Sequence, residues 1–191
     1  RAAECNSGWA SYNLRMSTLR LFYALWPSPS LAASLAGWAE QARLTCGGRA
    51  MRTETLHLTL AFLGPVDSAL ADELAAATPG RGLAPGDVPL ERYGVFSRQR
   101  ILWAGPSETP FGLQQAHDDL WQWLSGYGLT PPTQPFRPHV TLLRNIERPE
   151  PPADTPPPLL WAYDRMVLVA SESLTGGSRY RIVAPSRPQP G

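Results

Sequence analysis

The sequence predicts an α+β protein made of two similar βα lobes, each offering one strand to a shared cleft. Three observations carry this. Helix-like and strand-like patterns alternate along the 191 residues, enough chain for a sizeable core. Two long helix patterns stand among about seven or eight short strand patterns. A five-residue pattern also recurs, as Leu56-His57-Leu58-Thr59-Leu60 and Pro138-His139-Val140-Thr141-Leu142, 82 positions apart. A diverged internal duplication leaves such a trace.

The elements follow in order. Leu19–Trp26 is a short apolar run and reads as a strand. A helix starts at Pro27–Ser30 and runs to about Leu44, with Leu31, Leu35, Trp38 and Ala42 at helical spacing. Thr55–Gly64 reads as a strand rich in Leu, Thr and Phe. Asp67 caps a helix over Ser68–Ala77, and Pro79–Gly86 is a loop. Val88–Phe96 and Ile101–Ala104 form a hairpin around Ser97–Arg100. Phe111–Tyr127 is the second long helix, with Leu113, Leu120, Trp121 and Leu124 on its apolar face. Arg137–Asn145 is a strand, and Pro149–Pro158 is a stiff connector. Met166–Ser173 and Arg179–Val183 close the chain as a hairpin around Gly176–Gly177.

Residues 1–15 read as a remnant or disordered extension, with Met16 the natural start. Residues 16–184 form one bilobal domain, and 185–191 a flexible tail.

Composition narrows the function. A net charge of +1 is too small to indicate binding along a duplex. If a nucleic acid is the substrate, recognition should be local, at a strand end. Two cysteines, Cys5 and Cys46, make neither a disulfide framework nor a structural zinc set, which fits a cytoplasmic protein. No apolar run approaches the roughly 20 residues that span a bilayer.

On a strand, residues i and i+2 share a face. His57 therefore projects with Thr59, and His139 with Thr141, while Leu58, Leu60, Val140 and Leu142 point to the other side. Two such strands set face to face place two imidazoles and two hydroxyls in one cleft. That set suits phosphoryl transfer without a metal. A neutral imidazole takes a proton from water, an imidazolium protonates a leaving alkoxide, and the hydroxyls hold phosphoryl oxygens. The third and fourth ligands that a zinc site needs are missing, so no metal or cofactor is expected. His117, beside Asp118 and Asp119, reads as a solvated surface residue.

Paired His-apolar-Thr-apolar motifs about 80 residues apart are the signature of the 2H phosphoesterase superfamily. More narrowly, the chain resembles the RNA 2′,3′-cyclic phosphodiesterases, also called 2′-5′ RNA ligases. Arg20–Ala24, Leu56–Gly64, Arg100–Trp103, Pro135–Arg144 and Arg179-Tyr180 carry the resemblance in family order. It implies a bilobal, pseudo-twofold fold with antiparallel sheets around a central cleft and helices outside. It also implies hydrolysis of a terminal 2′,3′-cyclic phosphate to a 2′-phosphate. His57 is then the proton donor to O3′ and His139 the proton acceptor from water, with Thr59 and Thr141 holding the phosphate.

Arg144 matches a phosphate-binding position of that family. It lies five residues past His139, so a regular strand turns it to the wrong face and a bulge or strand end is required. Phe136 and, more weakly, Phe22 are candidates to stack on a base, and Arg98 and Arg100 to meet RNA backbone. The expected partners are RNA ends or small cyclic-phosphate nucleotides, with no membrane, acted on by a monomer. Three other readings stand beside this one. They are ATP-independent 2′-5′ ligation, a phosphodiesterase for small cyclic nucleotides or 2′-5′ oligoadenylate, and a non-catalytic nucleotide-binding module. The completeness of both motifs argues against the last.

Overall fold

The path of the chain explains how two distant motifs come together. A computed structural model describes residues 18–175 and 177–188. Strand β1 (Thr18–Leu25) leads into helix α1 (Pro29–Cys46), the short β2 (Arg49–Ala50) and the long β3 (Leu58–Asp67). After α2 (Ser68–Ala77) come β4 (Gly82–Leu83), β5 (Gly86–Leu90), β6 (Arg92–Phe96) and β7 (Ile101–Gly105). Helix α3 (Phe111–Ser125) and β8 (Val140–Arg144) follow. The chain then forms β9 (Leu159–Tyr163), β10 (Val167–Leu174), β11 (Gly177–Pro185) and β12 (Arg187–Pro188).

Local chemistry sets the helix ends. The Leu31 N–H donates to Ser28 Oγ at 3.3 Å, and Pro29 occupies the first turn of α1, where its missing N–H costs nothing. Gly47, at φ 68°, ends that helix. The Leu70 N–H donates to Asp67 Oδ1 at 2.8 Å, the cap that the sequence indicates for α2.

One antiparallel eight-stranded sheet forms the centre, in the order β11-β10-β1-β3-β8-β7-β6 with β2 also on β8. Its two halves repeat one plan. In β1–α1–β3 and again in β7–α3–β8, a strand feeds a long helix, and the next long strand returns antiparallel beside the first. The helices cross over, since α1 packs on β8 and β2 while α3 packs on β3. A single apolar cluster therefore runs through both halves, from Leu21 to Ala170.

Several expectations need correction. The two motif strands meet edge to edge in one sheet, not face to face, because β3 and β8 pair directly at Leu58 and Val140. The stretch Val88–Phe96 is two strands. Gly86–Leu90 pairs with Leu159–Tyr163 in a separate small sheet, and Arg92–Phe96 joins β7. Pro89 has no N–H to give a ladder, so its strand belongs at an edge. The loop at 79–86 contains β4, which pairs in parallel with β12. The expected tail is therefore partly structured. Ser186 is buried, its N–H donates to the Met166 carbonyl at 2.8 Å, and its Oγ accepts from the Met166 N–H at 2.9 Å. Residues 189–191, the extension 1–15 with Cys5, and Gly176 of the closing turn lie outside the described residues.

Candidate active site

Both motif histidines stand one residue before their strands, and each is fixed in the same way. Nδ1 of His57 lies 2.7 Å from the Thr55 carbonyl, and Nδ1 of His139 lies 2.7 Å from the Arg137 carbonyl. A carbonyl only accepts, so each Nδ1 carries its hydrogen and donates it two residues back. The neutral ring then keeps its lone pair on Nε2, the atom remote from its own backbone.

The pairing of Leu58 with Val140 brings the motifs together. In an antiparallel pair the neighbouring positions run in opposite directions. His57 thus heads toward Thr141, and Thr59 toward His139. Leu58 and Val140 themselves are fully buried on the other side.

Each motif strand then bulges at the same place. In β3 the register against β1 slips so that Tyr23 faces Ala61 and Ala24 faces Thr59, leaving Leu60 as the extra residue. In β8 the register against β7 slips so that Leu102 faces Leu143 and Trp103 faces Thr141, leaving Leu142 extra. Each bulge sends two successive side chains into the core: Leu60 and Ala61 are both 2% exposed, Leu142 and Leu143 both 0%. Strand parity reverses beyond the bulge. Arg144, which a regular strand would turn away, therefore returns to the side of His139 and Thr141. Its positive charge helps lower the pKa of both imidazoles. Gly48, at φ 83°, lets β2 approach here, since a Cβ on it would come within 2.7 Å of the Arg144 carbonyl oxygen.

Aromatic rings wall in the histidines. Trp26 stacks on His57 at 5.5 Å with 7° between the planes, Phe22 lies 4.8 Å away, and Tyr180 meets the ring edge-on at 5.3 Å. Phe96 meets His139 edge-on at 5.0 Å, with Trp103 at 6.0 Å. Trp103 lies flat over Gly94, where a Cβ would collide with its indole at 2.0 Å. Burial in these walls pushes His57 down from 6.5 to about 4. The Thr55 carbonyl opposes this, while His139 and Arg144 reinforce it. His139 is lowered too, chiefly by burial and then by Arg144, against the Arg137 carbonyl. Among the described residues no group of three or more His, Cys, Asp or Glu gathers to hold a metal.

A cavity of about 500 Å³ opens from Thr59 and His139 toward Phe62, Phe96 and Phe136. Phe136 lines it and stacks on His117 at 4.1 Å and 15°. His117 is not the solvated residue that its neighbours Asp118 and Asp119 suggested. Its side chain is 12% exposed, and its Nδ1 lies 2.8 Å from Asp118 Oδ1. Phe22, a candidate for base stacking, is 3% exposed and has no free face; it packs against His57 instead. Arg100 is likewise occupied, donating from Nε to the Ile146 carbonyl at 2.9 Å and from a terminal nitrogen to Asn145 at 3.3 Å. The walls Trp26, Tyr180, Phe96 and Trp103 were not anticipated. Tyr180, Phe96 and Trp103 come from separate strands and Trp26 from the end of β1, and only the sheet order makes them neighbours of the histidines.

The chain is similar to known proteins along most of its length. Residues 25–103 match the family described as LigT like phosphoesterase. The RNA 2′,3′-cyclic phosphodiesterase of Escherichia coli is 33% identical over 84% of the chain and 92% of that protein. The RNA 2′,3′-cyclic phosphodiesterase of Thermus thermophilus is 30% identical over 86% of the chain and 88% of that protein. The crystal structure of E. coli LigT complexed with 3′-AMP superposes with a TM-score of 0.74 at 28% identity, covering 88% of this chain and 97% of that one.

Proposed function

The chain belongs to the RNA 2′,3′-cyclic phosphodiesterase family of LigT-like phosphoesterases, and we propose that His57 and His139 perform the hydrolysis for which that family is named. One observation carries the assignment. The antiparallel pairing of Leu58 with Val140 brings two imidazoles, each with Nδ1 committed to a backbone carbonyl, to one face with two threonine hydroxyls.

The chemistry follows from that arrangement. The cyclic phosphodiester sits between the rings, its non-bridging oxygens accepting from Thr59 and Thr141 and facing Arg144. His139 Nε2 takes a proton from water as the oxygen attacks phosphorus in line. The P–O3′ bond breaks, and His57 Nε2–H gives its proton to O3′. The product carries a 2′-phosphate and a free 3′-hydroxyl, and exchange with solvent resets both rings. The bound anion also answers the low pKa of His57. Its charge favours imidazolium, as do the faces of Trp26 and Phe22 once that charge is balanced. A 5′-hydroxyl in place of water gives a 2′-5′ linkage by the same transfers.

RNA ends and small cyclic-phosphate nucleotides are the proposed partners. Since both motifs lie in one chain, the site is complete in a monomer. No helix among the described residues is long and apolar enough to cross a membrane. The buried free thiol of Cys46 fits the proposed cytoplasmic location. The test is the product of a short RNA ending in 2′,3′-cyclic phosphate: release of a 2′-phosphate supports the roles given to the two rings, and a 3′-phosphate reverses the leaving group.

A further inference from the structure

The repeat in the sheet shows where the two halves differ. Leu25 pairs with Leu58 as Ala104 pairs with Val140, so Leu25 and Ala104 hold the same place beside their motif strands. The next residues along the chain, Trp26 and Gly105, are therefore equivalent. One step back, Ala24 pairs with Thr59 as Trp103 pairs with Thr141. Each half thus sets an indole beside its histidine, but from a different position. Trp26 lies parallel to His57, with 7° between the planes. Trp103 is tilted by 57° to His139, and Phe96 meets that ring at 88°. The second half has no room for an indole at the place of Trp26. A Cβ on Gly105 would stand 2.8 Å from the Pro138 carbonyl oxygen and 2.9 Å from the Trp103 ring.

We infer that Trp26 is a positioning residue for the proton donor. Its indole face sets the plane of His57 and steadies the imidazolium, while His139, met by tilted and edge-on rings, is left to act as base. The inference rests on the phosphodiesterase reading, which gives the two histidines those roles. It adds the reason why two equivalent rings divide the work. The hydrogen bond from Nδ1 to the Thr55 carbonyl fixes one corner of the His57 ring and leaves its plane free to rock. Flat contact with Trp26 removes that freedom and keeps Nε2 in line with the leaving oxygen. Of the aromatic side chains, Trp also offers a cation the most attractive face. Across from His57 stand His139 and Arg144 of the second motif and the Tyr180 phenol of β11. The rings that cover it, Phe22 and Trp26, carry no charge. A substitution of Trp26 therefore changes the π-face and leaves the facing charges in place.

The experiment follows kcat and KM against pH for a short RNA ending in 2′,3′-cyclic phosphate, with the parent, Trp26→Phe and Trp26→Leu. In Trp26→Leu the alkaline limb of kcat, where the donor loses its proton, should move down by about 0.5 to 1.5 pH units. Above that limb kcat should fall by about 3- to 30-fold, with KM and the acid limb unchanged. Trp26→Phe keeps a weaker face and should fall between the two, which holds the test if the leucine variant does not fold. A merely apolar wall predicts the opposite sign, because opening it to water favours imidazolium and moves the limb up. An alkaline limb that stays or moves up, a shift of the acid limb instead, or a loss confined to KM overturns the inference and leaves the phosphodiesterase reading intact. A parent protein that does not turn over the RNA overturns that reading and the inference with it.

Discussion

Leu58 faces Val140 where β3 meets β8, and both side chains are fully buried. An antiparallel pair has a local twofold through its centre. This pair is therefore the point about which His57 and Thr59 are exchanged for His139 and Thr141. The two histidines and two threonines lie on one side of that point and the core on the other, so packing at the junction and alignment of the candidate site are one physical problem.

Truncating the junction should be costly. Leu58→Ala removes a buried side chain from the one cluster shared by both halves and should destabilise the protein by about 2–5 kcal/mol. Urea unfolding measures this. A loss below about 1 kcal/mol would show that the junction is loosely packed and that some other contact aligns the motifs.

Arg144 has two effects that one substitution separates. Arg144→Gln removes the charged donor proposed to face the phosphate and should lower kcat/KM by about 10- to 100-fold. It also removes a charge that depresses both imidazoles, so both should titrate at higher pH in the variant, read by NMR of the ring protons. Unmoved titrations would place Arg144 away from the histidines.

The pH profiles of kcat and kcat/KM should differ in a defined direction. The ratio reports the free protein, in which His57 is depressed to about 4 and His139 also lies below 6.5. The profile of kcat reports the complex, in which a phosphate anion stabilises either imidazolium and raises its pKa. Both limbs of the kcat profile should therefore lie at higher pH than those of kcat/KM. Coincident limbs would mean that the phosphate does not sit between the rings.

Stability should also fall in acid. A histidine held at about 4 in the folded protein and near 6.5 unfolded binds protons preferentially in the unfolded chain. Its contribution is complete above 6.5 and is lost as the pH falls through the folded value. The gap corresponds to about 3 kcal/mol. Between pH 7 and 4, His57→Asn should lose less stability than the parent, measured by thermal unfolding. Parallel losses would assign the acid sensitivity to other groups.

Much of this site was legible in the sequence, for a physical reason. Strand period two places His57 with Thr59 and His139 with Thr141 whatever the fold around them. Arg144 was legible only as a conflict. Its parity was wrong for a regular strand, and the bulge at Leu142 resolves it. Sequence spacing does not encode long-range neighbours, so the ring of Trp26, Phe22 and Tyr180 around His57 emerges only with the order β11-β10-β1-β3. The same gap misled the reading of His117, whose acidic neighbours suggest solvent while Phe136, from a distant loop, covers its ring. The break at Glu91 and the pairing of Gly86–Leu90 with Leu159–Tyr163 are likewise long-range facts.

In the proposed mechanism two histidines alone move the protons. The most direct measurement is single-turnover opening of a short RNA 2′,3′-cyclic phosphate in EDTA by the parent, His57→Ala and His139→Ala. The parent should convert the substrate, and each variant should lose about 10²- to 10⁴-fold, the range for removing a general acid or base. Parent turnover that requires an added divalent metal, or a variant that keeps parent rates, would contradict it.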